Sequence, residues 1–427
     1  MWRTSFALAL ALCFCARAAA QPLNAGEQAF LDDLQKRAFT YFIEQADPVT
    51  GLVRDRAGAD GSHKPPHADA ANIAASGFAL TALCIGASRG WIAPDQARRR
   101  AETALEFAVE KSTQVRGWFY HFVNPADGSR MWTSEVSSID TGFLIAGALT
   151  AKSCFPEDAK ISRLADALYR RADFKWMLDG GTLLSHGWTP EAGFIKNRWD
   201  TCSEHLLLTL LAVAAPQNPA PQSAWTGWRR DVVRYSSYTF VSADAPLFVH
   251  QYPQAWADLR WVCDSTGPVK DFFANSADAT RAHRQYCVDA SSRYPAYMPQ
   301  VWGFTASDSA RGYTAWGGLV SSPEMDGTLA PAAAAGSLMF APDIALPALM
   351  TMKEKYPAAW GRYGFADAFN PGTGWQSPDV IAIDLGITLL SAENLRTGDV
   401  WRWFMCGADG ERLLEKSGLK RRPSKSI

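Results

Sequence analysis

Long runs of alanine, leucine and other apolar residues recur along the chain, and they contain few β-branched clusters. Such residues favour helix, so the pattern predicts helices rather than strands at these positions. Several of the runs are apolar on almost every side, which indicates helices that are buried all round. The predicted helices are Ala70–Gly86, Asp140–Ala151, Ile161–Arg171, Glu204–Ala214 and Asp384–Ala392.

Some of these runs resemble one another. Ser76–Leu80 echoes Thr141–Ile145, and Ile139–Gly142 echoes Ile383–Gly386. The first two copies lie about 65 residues apart, and one more step of that length reaches the run that begins at Glu204. A weak repeat of this length suits a pair of helices plus loops. About six such pairs, closed into a ring with an inner and an outer layer, predict an all-α fold, the (α/α)6 barrel.

The two ends of the chain differ from the rest. Residues 1–20 contain Arg3, an apolar core from Phe6 to Phe14 and three small residues before Gln21, which is typical of a secretory signal peptide. We therefore expect cleavage after Ala20, a periplasmic or secreted protein, and no integral membrane segment in what remains. The barrel is expected to occupy 21–415 as a single domain, followed by a disordered basic tail over 416–427.

The composition limits the kinds of partner and cofactor that the chain is expected to bind. The chain has 427 residues, a formal net charge of −1 and no basic stripe, which excludes a nucleic-acid partner. The oligomeric state stays open. Its 7 His are dispersed, no Cys-x-x-Cys pair occurs and no glycine-rich phosphate loop follows a strand, so neither a metal nor a cofactor is expected. Disulfide pairing also stays open, and Cys202 has no evident base partner that would make it a nucleophile.

One stretch concentrates chemistry at the start of a predicted buried helix. Arg198–His205 holds an arginine, an indole ring, a carboxylate and a histidine, and the apolar run Leu206–Ala215 follows at once. Thr201-x-x-Glu204 fits a capping box, in which the glutamate binds an orphan backbone donor. Because charged groups are rarely buried unless paired or used, Glu204 is either such a cap or part of a catalytic site.

The loops between the predicted helices are long and aromatic. They run over Gly117–Trp132, Leu183–Trp199, Phe248–Trp261 and Tyr294–Trp316, and many of the 17 Trp residues lie in them beside charged or amide side chains. Flat apolar rings next to hydrogen-bonding groups suit a sugar ring, although any single Trp is as often a core residue. Together the loops predict a carbohydrate-binding cleft.

Glycoside hydrolysis needs two carboxyl groups, and the candidates stand at helix entrances. Ser137-x-x-Asp140 is a second capping-box pattern, and Ser377-Pro378-Asp379 is expected to open the helix that carries Asp384. In a ring of hairpins the inner helices run the same way, so their N-termini share one rim and favour negative charge there. Glu135, Asp140, Glu204 and Asp384 can therefore converge. Asp308 and Asp326 lie in loops, where a turn residue is the simpler interpretation.

Blocks spread over nearly the whole mature chain resemble the glycoamylase-like domain family that includes bacterial endo-β-1,2-glucanases of glycoside hydrolase family 144. These blocks are Asn72–Phe78, Trp118–Phe122, Ser134–Thr141, His186–Pro190, Arg198–Asp200 through Glu204–His205, His250–Tyr252, Asp326–Thr328 and Tyr363–Asn370. The resemblance implies an (α/α)6 barrel and metal-free action on β-1,2-linked glucose polymers. A departure is Cys202, where many relatives have tyrosine.

The resemblance makes Glu204 the expected general acid and puts Glu135 and Asp140 in the acidic cleft. Asp384 is our first choice for the base and Asp140 the second. The remaining candidate substrate-binding residues come from the loops and matching blocks. They are His121, Trp132, His186, Trp188, Arg198, Trp199, Gln251, Tyr252, Arg260, Trp302, Asp308, Tyr313 and Asp326.

The sequence thus predicts a glycoside hydrolase that acts on β-glucan, most simply β-1,2-glucan, an oligo- or polysaccharide substrate. Two alternatives stay open. One is a transglycosylase or a glycosidase of another glucan linkage on the same barrel, and the other is a protein that binds glycan without cleaving it. Endo or exo action, stereochemical outcome and chain-length preference are not specified by the sequence.

Overall fold

Helices make up nearly half of the backbone in a computed structural model of the protein, which describes residues 22–62, 69–269, 271–320 and 325–422. In chain order they are α1 (Ala25–Glu44), α2 (Ile73–Ser88), α3 (Pro94–Glu110), α4 (Ser138–Cys154), α5 (Ala159–Arg171), α6 (Phe174–Met177), α7 (His205–Val213), α8 (Ser223–Thr226), α9 (Phe248–Trp256), α10 (Phe272–Asp289), α11 (Pro331–Ala335), α12 (Pro342–Lys355), α13 (Ala382–Arg396), α14 (Asp399–Phe404) and α15 (Gly407–Ser417). Single 3₁₀ turns occur at Ala290–Ser292 and Pro357–Ala359.

The predicted apolar runs form an inner ring. Helix α2 packs on α4, α4 on α7, α7 on α9 and α9 on α13, and α13 returns to α2. Helix α11 completes the ring beside α13, and the Gln251 side chain ties α9 to it through Ala333 and Ser337. Because a second layer surrounds this ring, its helices are buried on nearly every side, as α2 and α4 show.

The outer layer covers the ring helix by helix. Helix α3 packs on α2, α5 on α4, α15 on α7, α10 on α9, α12 on α11 and α1 on α13. These helices are amphipathic: α5, for example, buries Ile161, Leu164 and Leu168 and leaves Arg170 exposed. Six inner and six outer helices among the described residues therefore form the (α/α)6 barrel, which confirms the predicted fold class.

Short antiparallel strand pairs lie in the loops, and three of the strands lead directly into inner helices α2, α4 and α13. The strands are β1 (Arg56–Gly58), β2 (Ala71–Asn72), β3 (Gln114–Val115), β4 (Trp118–Phe119), β5 (Phe122–Val123), β6 (Val136–Ser137), β7 (Gly187–Thr189), β8 (Gly193–Phe194), β9 (Val232–Tyr235), β10 (Tyr238–Val241), β11 (Val262–Cys263), β12 (Ala306–Ser307), β13 (Thr314–Ala315), β14 (Trp360–Gly361), β15 (Gly364–Phe365), β16 (Phe369–Asn370), β17 (Trp375–Gln376), β18 (Asp379–Ile381) and β19 (Lys420–Arg421).

The pairing of these strands fixes one end of the barrel. Strand β1 pairs with β18, so Arg56 lies opposite Ile381, and β2 pairs with β5, so Asn72 lies opposite Phe122. Strand β6 is the edge of a three-stranded sheet with β7 and β8. The loops before α2, α4 and α13 are thereby linked to loops from distant parts of the chain at the N-terminal ends of the inner helices.

The opposite end of the barrel is closed by a helix. Helix α14 packs against α2, α4, α9 and α13, and it buries Trp401, Trp403 and Phe404. The indole nitrogen of Trp401 donates to the Gln254 carbonyl in the C-terminal half of α9, at 2.6 Å. In the part of the chain that the structure describes, α14 therefore covers the barrel interior at this end.

The five predicted helices are all present, with ends that differ by a few residues from the predicted ones. The prediction of a disordered tail from residue 416 is wrong for 416–422. Helix α15 continues to Ser417, and β19 pairs with β11, which satisfies the backbone of the tail. The predicted signal peptide and 423–427 lie outside the described residues. In the part that the structure describes, we find no helix with the length and apolar character needed to cross a membrane.

Candidate active site

Four predicted acidic residues lie at the N-terminal rim of the inner ring. Asp140 and Asp384 are in the first turns of α4 and α13, Glu204 immediately precedes α7, and Glu135 immediately precedes β6. The structure thus places these carboxyl groups at the N-terminal ends of inner helices, as the sequence predicted. A helix N-terminus stabilises a neighbouring anion, which suits acidic residues at these positions.

His121 bridges two of these carboxyl groups. Its Nδ1 is 3.1 Å from Glu135 Oε1 and its Nε2 is 3.7 Å from Asp140 Oδ1. Burial alone would lower the pKa of His121, but the charges of Asp140 and Glu135 outweigh it and raise the pKa to about 9. Burial acts against ionisation of Glu135 as well, yet the His121 hydrogen bond leaves its pKa below the usual value. At neutral pH we therefore expect an imidazolium–carboxylate pair on this side of the cleft.

Asp140 is capped differently from the predicted capping box. The Ser137 hydroxyl accepts from the Asp140 backbone N–H at 3.3 Å, as an N-cap should. The Asp140 carboxylate, however, accepts a hydrogen bond from that same Ser137 hydroxyl instead of binding the backbone. Burial raises the pKa of Asp140 and the His121 charge opposes that effect.

Glu204 is not a capping-box residue, so that interpretation is wrong. It occupies the N-cap position of α7 and makes no side-chain capping bond. Thr201 is engaged elsewhere: its hydroxyl donates to Asp200 at 3.0 Å and accepts from Arg229 at 2.5 Å. The Glu204 carboxyl therefore does not cap the helix, and its hydrogen bonds are to its own backbone N–H and to the Ser203 side chain.

The surroundings of Glu204 favour its neutral form. Dense protein encloses the side chain, although part of its surface is still reachable by water, as expected at the bottom of a cleft. Burial raises the pKa of Glu204 to about 7, and the nearby Asp140 carboxylate adds to this. A carboxyl group that keeps its proton near neutral pH is suited to act as a general acid.

Asp384 lies in a second group of polar side chains. It is buried to 7% exposure, and the Tyr252 hydroxyl donates to its Oδ1 at 3.2 Å. The Asp367 carboxyl group contacts it directly. Burial raises the pKa of Asp384 to about 6, while the bonds with Asp367 and Tyr252 limit the rise. These two bonds thus favour the ionised form of Asp384, whereas burial favours the neutral form of Glu204.

Sequence reasoning missed the residues that surround Asp384. Arg56 on β1 lies 3.6 Å from Asp55, 3.4 Å from Asp308 and 3.6 Å from Asp379. Asn72, the N-cap of α2, donates to Asp55 at 3.0 Å. Asp308, predicted as a turn residue or a substrate ligand, also accepts from Ser377 at 2.9 Å. Two features of the sequence could have indicated these residues: the adjacent charges Arg54-Asp55-Arg56, and the family-like block Tyr363–Asn370, which contains Asp367.

The prediction that Ser377-Pro378-Asp379 opens the α13 helix is wrong. Strand β18 occupies Asp379–Ile381, and α13 begins only at Ala382 with no side-chain cap. The Ser377 hydroxyl donates to Asp308 rather than capping the helix. Pairing of β18 with β1 explains the difference, because the strand hydrogen bonds take the backbone that a helix would use.

Aromatic rings extend from the carboxyl groups toward solvent. Phe122 stacks on His121 with ring centroids 3.9 Å apart, and the exposed Trp132 meets Phe122 edge-on at 5.3 Å. Tyr313 is 56% exposed, yet its hydroxyl lies within the electrostatic reach of Asp384 and Asp367. Trp132 and Tyr313 thus present ring surface beside the acidic groups, as the loop prediction requires.

A stack of rings supports the loop that carries Glu204. His186 lies on Trp199 with centroids 3.8 Å apart, and Trp199 in turn faces His205 at 5.7 Å. The Trp199 indole donates to the Ser138 hydroxyl at 2.9 Å, at the start of α4. Burial lowers the pKa of His186, so this half-buried ring is neutral and can exchange hydrogen bonds with sugar hydroxyls.

Several predicted substrate-binding residues have other partners. Arg198 binds Asp179 at 2.8 Å and loop carbonyls, Trp188 packs on Trp176 with centroids 5.9 Å apart, and Asp326 accepts from the Thr328 backbone in a turn. Gln251 and Trp302 are buried, and they donate to Ala333 and Ile344. These contacts hold loops and helices in place.

Arg260 lies at the other end of the barrel. It follows the C-terminus of α9, binds Asp258 at 2.9 Å through two nitrogens and covers the Trp401 ring at 4.0 Å. Trp401 belongs to the helix that closes that end. The structure therefore does not bring Arg260 to the acidic rim, since the loop after α9 returns on the opposite side.

A metal ion or a reactive thiol needs a particular arrangement of side chains. In the described ranges, no three His, Cys, Asp or Glu side chains converge in a way that suits a metal ion. The six cysteines of these ranges are free thiols. Burial raises the pKa of Cys202 to about 12, so its thiol stays protonated and is a poor nucleophile.

The chain is similar to several known proteins. A family model described as "Putative glucoamylase" matches residues 196–407, which include Glu204 and Asp384. A curated Parabacteroides distasonis protein, named exo β-1,2-glucooligosaccharide sophorohydrolase (non-reducing end), is 27% identical over 434 residues. The match covers 91% of this chain, and the chain spans only 58% of the length of that relative.

Solved structures share the barrel. An endo-β-1,2-glucanase from Chitinophaga pinensis, in complex with sophorotriose and glucose, is 25% identical with a TM-score of 0.85, covering 92% of this chain and 98% of its own. A β-1,2-glucanase from Parabacteroides distasonis has a TM-score of 0.84 at 24% identity, covering 93% of this chain and 60% of its own, and supports the fold. The chain is thus similar to the glycoamylase family over residues 196–407 and, over nearly its whole length, to a bacterial endo-β-1,2-glucanase.

Proposed function

We propose that this protein is a glycoside hydrolase that cleaves β-1,2-glucan by carboxyl acid–base catalysis at the acidic rim. Glu204 is the general acid, and it protonates the glycosidic oxygen as the bond to the leaving sugar breaks. Asp384 is the base that accepts a proton from the attacking water, directly or through an intervening hydroxyl group, and Asp140 is the second candidate for that role.

The observation that carries this proposal is that two carboxyl groups with different partners lie at the same rim, Glu204 at the N-cap of α7 and Asp384 in the first turn of α13. Burial raises the pKa of Glu204 to about 7, while Asp384, held by Tyr252, has a pKa of about 6. Two carboxyl groups whose environments separate their pKa values can supply an acid and a base at the same pH. Glu204 has no capping bond to break when it gives up its proton.

The choice of substrate is supported by the relatives and by the cleft. The Parabacteroides distasonis relative is named for β-1,2-glucooligosaccharides, and the Chitinophaga pinensis structure is a β-1,2-glucanase with sophorotriose and glucose. The rings of Trp132 and Tyr313 offer sugar-stacking surfaces beside the acidic groups. We further propose a periplasmic or secreted location, in keeping with the signal-like residues 1–20, and a single catalytic barrel over 21–415.

A linkage panel tests the proposal. The purified protein is incubated with β-1,2-, β-1,3-, β-1,4- and α-glucans, and new reducing ends are measured together with product masses. We expect release from β-1,2-glucan only. Cleavage of another linkage contradicts the substrate, cyclic or lengthened products indicate a transglycosylase, and binding without new reducing ends indicates a glycan-binding protein.

A matched pair of variants tests the acid. Glu204→Gln keeps the shape and loses the proton, so we expect activity to fall at least about a hundredfold. Glu354→Gln on the exposed face of α12 is the control.

The pKa of Glu204 is higher in the folded chain than in an unfolded one, so its ionisation destabilises the fold as pH rises through about 7. Glu204→Gln should therefore melt no earlier than wild type at pH 8, and full activity in this variant contradicts the proposal.

A further inference from the structure

Two carboxyl groups meet at the proposed active site. Asp384 stands in the first turn of α13, and Asp367 comes from the segment between β15 and β16. Both are buried, with exposures of 7% and 5%, and their side chains are in hydrogen-bond contact. A hydrogen bond between two carboxyl groups requires a proton on one of them, because two carboxylates have only acceptors.

The partners of each carboxyl group show which one holds the proton. Asp384 Oδ1 accepts from the Tyr252 hydroxyl at 3.2 Å, a bond that favours its ionised form. Asp367 Oδ2 accepts from the Asp308 backbone N–H at 2.7 Å. Asp367 Oδ1 is buried, and among the described residues no donor reaches it. A proton on that oxygen turns an unsatisfied acceptor into a donor.

The surrounding charges make a second ionisation unfavourable. The charged and titratable groups that face the pair are Asp55, Asp308, Arg56, Tyr252 and Tyr313, and Asp379 faces Arg56. Arg56 is the one cation among these six, and it is already contacted by three carboxylates. A small cavity of about 20 Å³ next to the pair is lined mostly by apolar side chains, including Leu34, Phe365 and Val380. Like charges so close in such surroundings do not both ionise.

We propose that Asp367 is a positioning residue for the catalytic base: its carboxyl group keeps a proton and donates a hydrogen bond to the ionised Asp384 carboxylate. This inference rests on the proposed function for the role of Asp384, but the proton itself can be detected without substrate. Burial raises the pKa of Asp367 well above its ordinary value, and the Asp384 charge adds to this, in agreement with the assignment.

The proton on Asp367 has two effects on the reaction. It stabilises the ionised form of Asp384, so the base is ready at a lower pH than burial alone would allow. It also holds the Asp384 carboxylate between two donors, Asp367 and Tyr252, so that its remaining lone pairs face a fixed direction. Asp367 itself does not exchange its proton with the substrate.

Three variants separate this proposal from its alternatives. Asp367→Asn keeps a donor of similar shape and is always neutral, Asp367→Ala removes the donor, and Asp343→Asn on the exposed side of α12 is a control. The measurement is kcat/KM for β-1,2-glucan against pH. We expect Asp367→Asn to keep the acid limb of wild type, and Asp367→Ala to move it up by about one pH unit, the loss of one bond to a charged group.

Other shifts of the acid limb in these variants contradict the proposal. If Asp367 is ionised, removing its charge in either variant moves the acid limb down. If Asp367 is the base, Asp367→Asn is inactive at every pH. If both variants keep the wild-type limb, Asp367 does not act on Asp384. Thermal melts of the variants identify any that fail to fold, and Asp367→Asn then remains the deciding variant.

An infrared difference spectrum tests the proton without any activity. Wild type minus Asp367→Asn, recorded at pH 7 without substrate, should contain the C=O stretch of a protonated carboxyl group, and wild type minus Asp343→Asn should not. Absence of that band from the first spectrum overturns the shared proton. If the band is present and no glucan is cleaved, the proposed function fails while the shared proton stands.

Discussion

The hydroxyl of Tyr252 on α9 donates a hydrogen bond to Asp384 Oδ1 on α13, across 3.2 Å. Both side chains are buried, at 4% and 7% exposure, and their helices are neighbours in the inner ring. A phenol that donates to a buried carboxylate favours its ionised form. This contact therefore helps to keep the proposed base ionised while Glu204, in a neighbouring part of the rim, keeps its proton.

Replacing Tyr252 by Phe should make the base harder to ionise. The ring remains and the hydrogen bond to Asp384 is lost, so the pKa of Asp384 should rise by about one unit, as expected for one bond to a charged group. The acid limb of the kcat/KM profile should shift upward by the same amount. Tyr235→Phe, whose hydroxyl binds Asp289 on the outer surface, is the matched control. An unshifted limb would argue that Asp384 is not the base.

The pH dependence of wild type should be a narrow bell. Asp384 must be ionised, so activity is lost as pH falls through about 6, and Glu204 must be protonated, so activity is lost as pH rises through about 7. The maximum of kcat/KM should therefore lie between these two values. Initial rates of reducing-end release at low substrate give the profile. A rate that continues to climb above pH 8 is incompatible with Glu204 as the acid.

The sequence could predict the inner helices and the acidic residues at their entrances because both are local. Long apolar runs mark α2, α4, α7 and α13, and parallel inner helices bring their first turns to one rim. The capping box at Thr201 and Glu204 failed because α7 begins only at His205, so that Glu204 itself is the N-cap, and the Thr201 hydroxyl is bound by Arg229 instead. The capping-box motif spans four neighbouring residues, whereas Arg229 comes from a later segment that the motif does not include.

Contacts between distant segments could not be predicted in this way. Arg56 joins the site because β1 pairs with β18, and Asp367 contacts Asp384 from a separate loop. Arg260 illustrates the reverse case: it stands in an aromatic loop beside charged residues, yet that loop leaves the C-terminus of α9 and ends at the closed side. Local composition does not say to which end of a barrel a loop returns.

The repeat pairs Gly77 with Gly142, but the structure gives them different roles. A Cβ on Gly77 would lie 2.3 Å from the Phe143 carbonyl oxygen, in the close contact between α2 and α4. A Cβ on Gly142 would meet Leu208 Cδ1 at 3.2 Å, the end of a flexible side chain. The same substitution should therefore have opposite effects at the two positions.

Gly77→Ala should reduce the free energy of unfolding by about 3 kcal/mol, because the two backbones must separate. Gly142→Ala should change it little or increase it by up to about 1 kcal/mol, since alanine favours the helix interior over glycine. Urea denaturation followed by circular dichroism measures both. Equal destabilisation by the two variants would contradict the close approach at Gly77.

Trp132 and Trp261 form a natural comparison for substrate stacking. Both are exposed, at 51% and 62%, and both have positive φ, at 53° and 60°. Trp132 continues the ring series from His121 through Phe122, whereas Trp261 precedes β11, beyond the C-terminus of α9.

Trp132→Ala should raise KM about tenfold with kcat nearly unchanged, because stacking on a remote ring is lost equally from the ground and transition states. Trp261→Ala should leave both constants unchanged. An equal rise in KM for both variants would place sugar binding on both ends of the barrel, and an unchanged KM for Trp132→Ala would remove Trp132 from the substrate-binding surface.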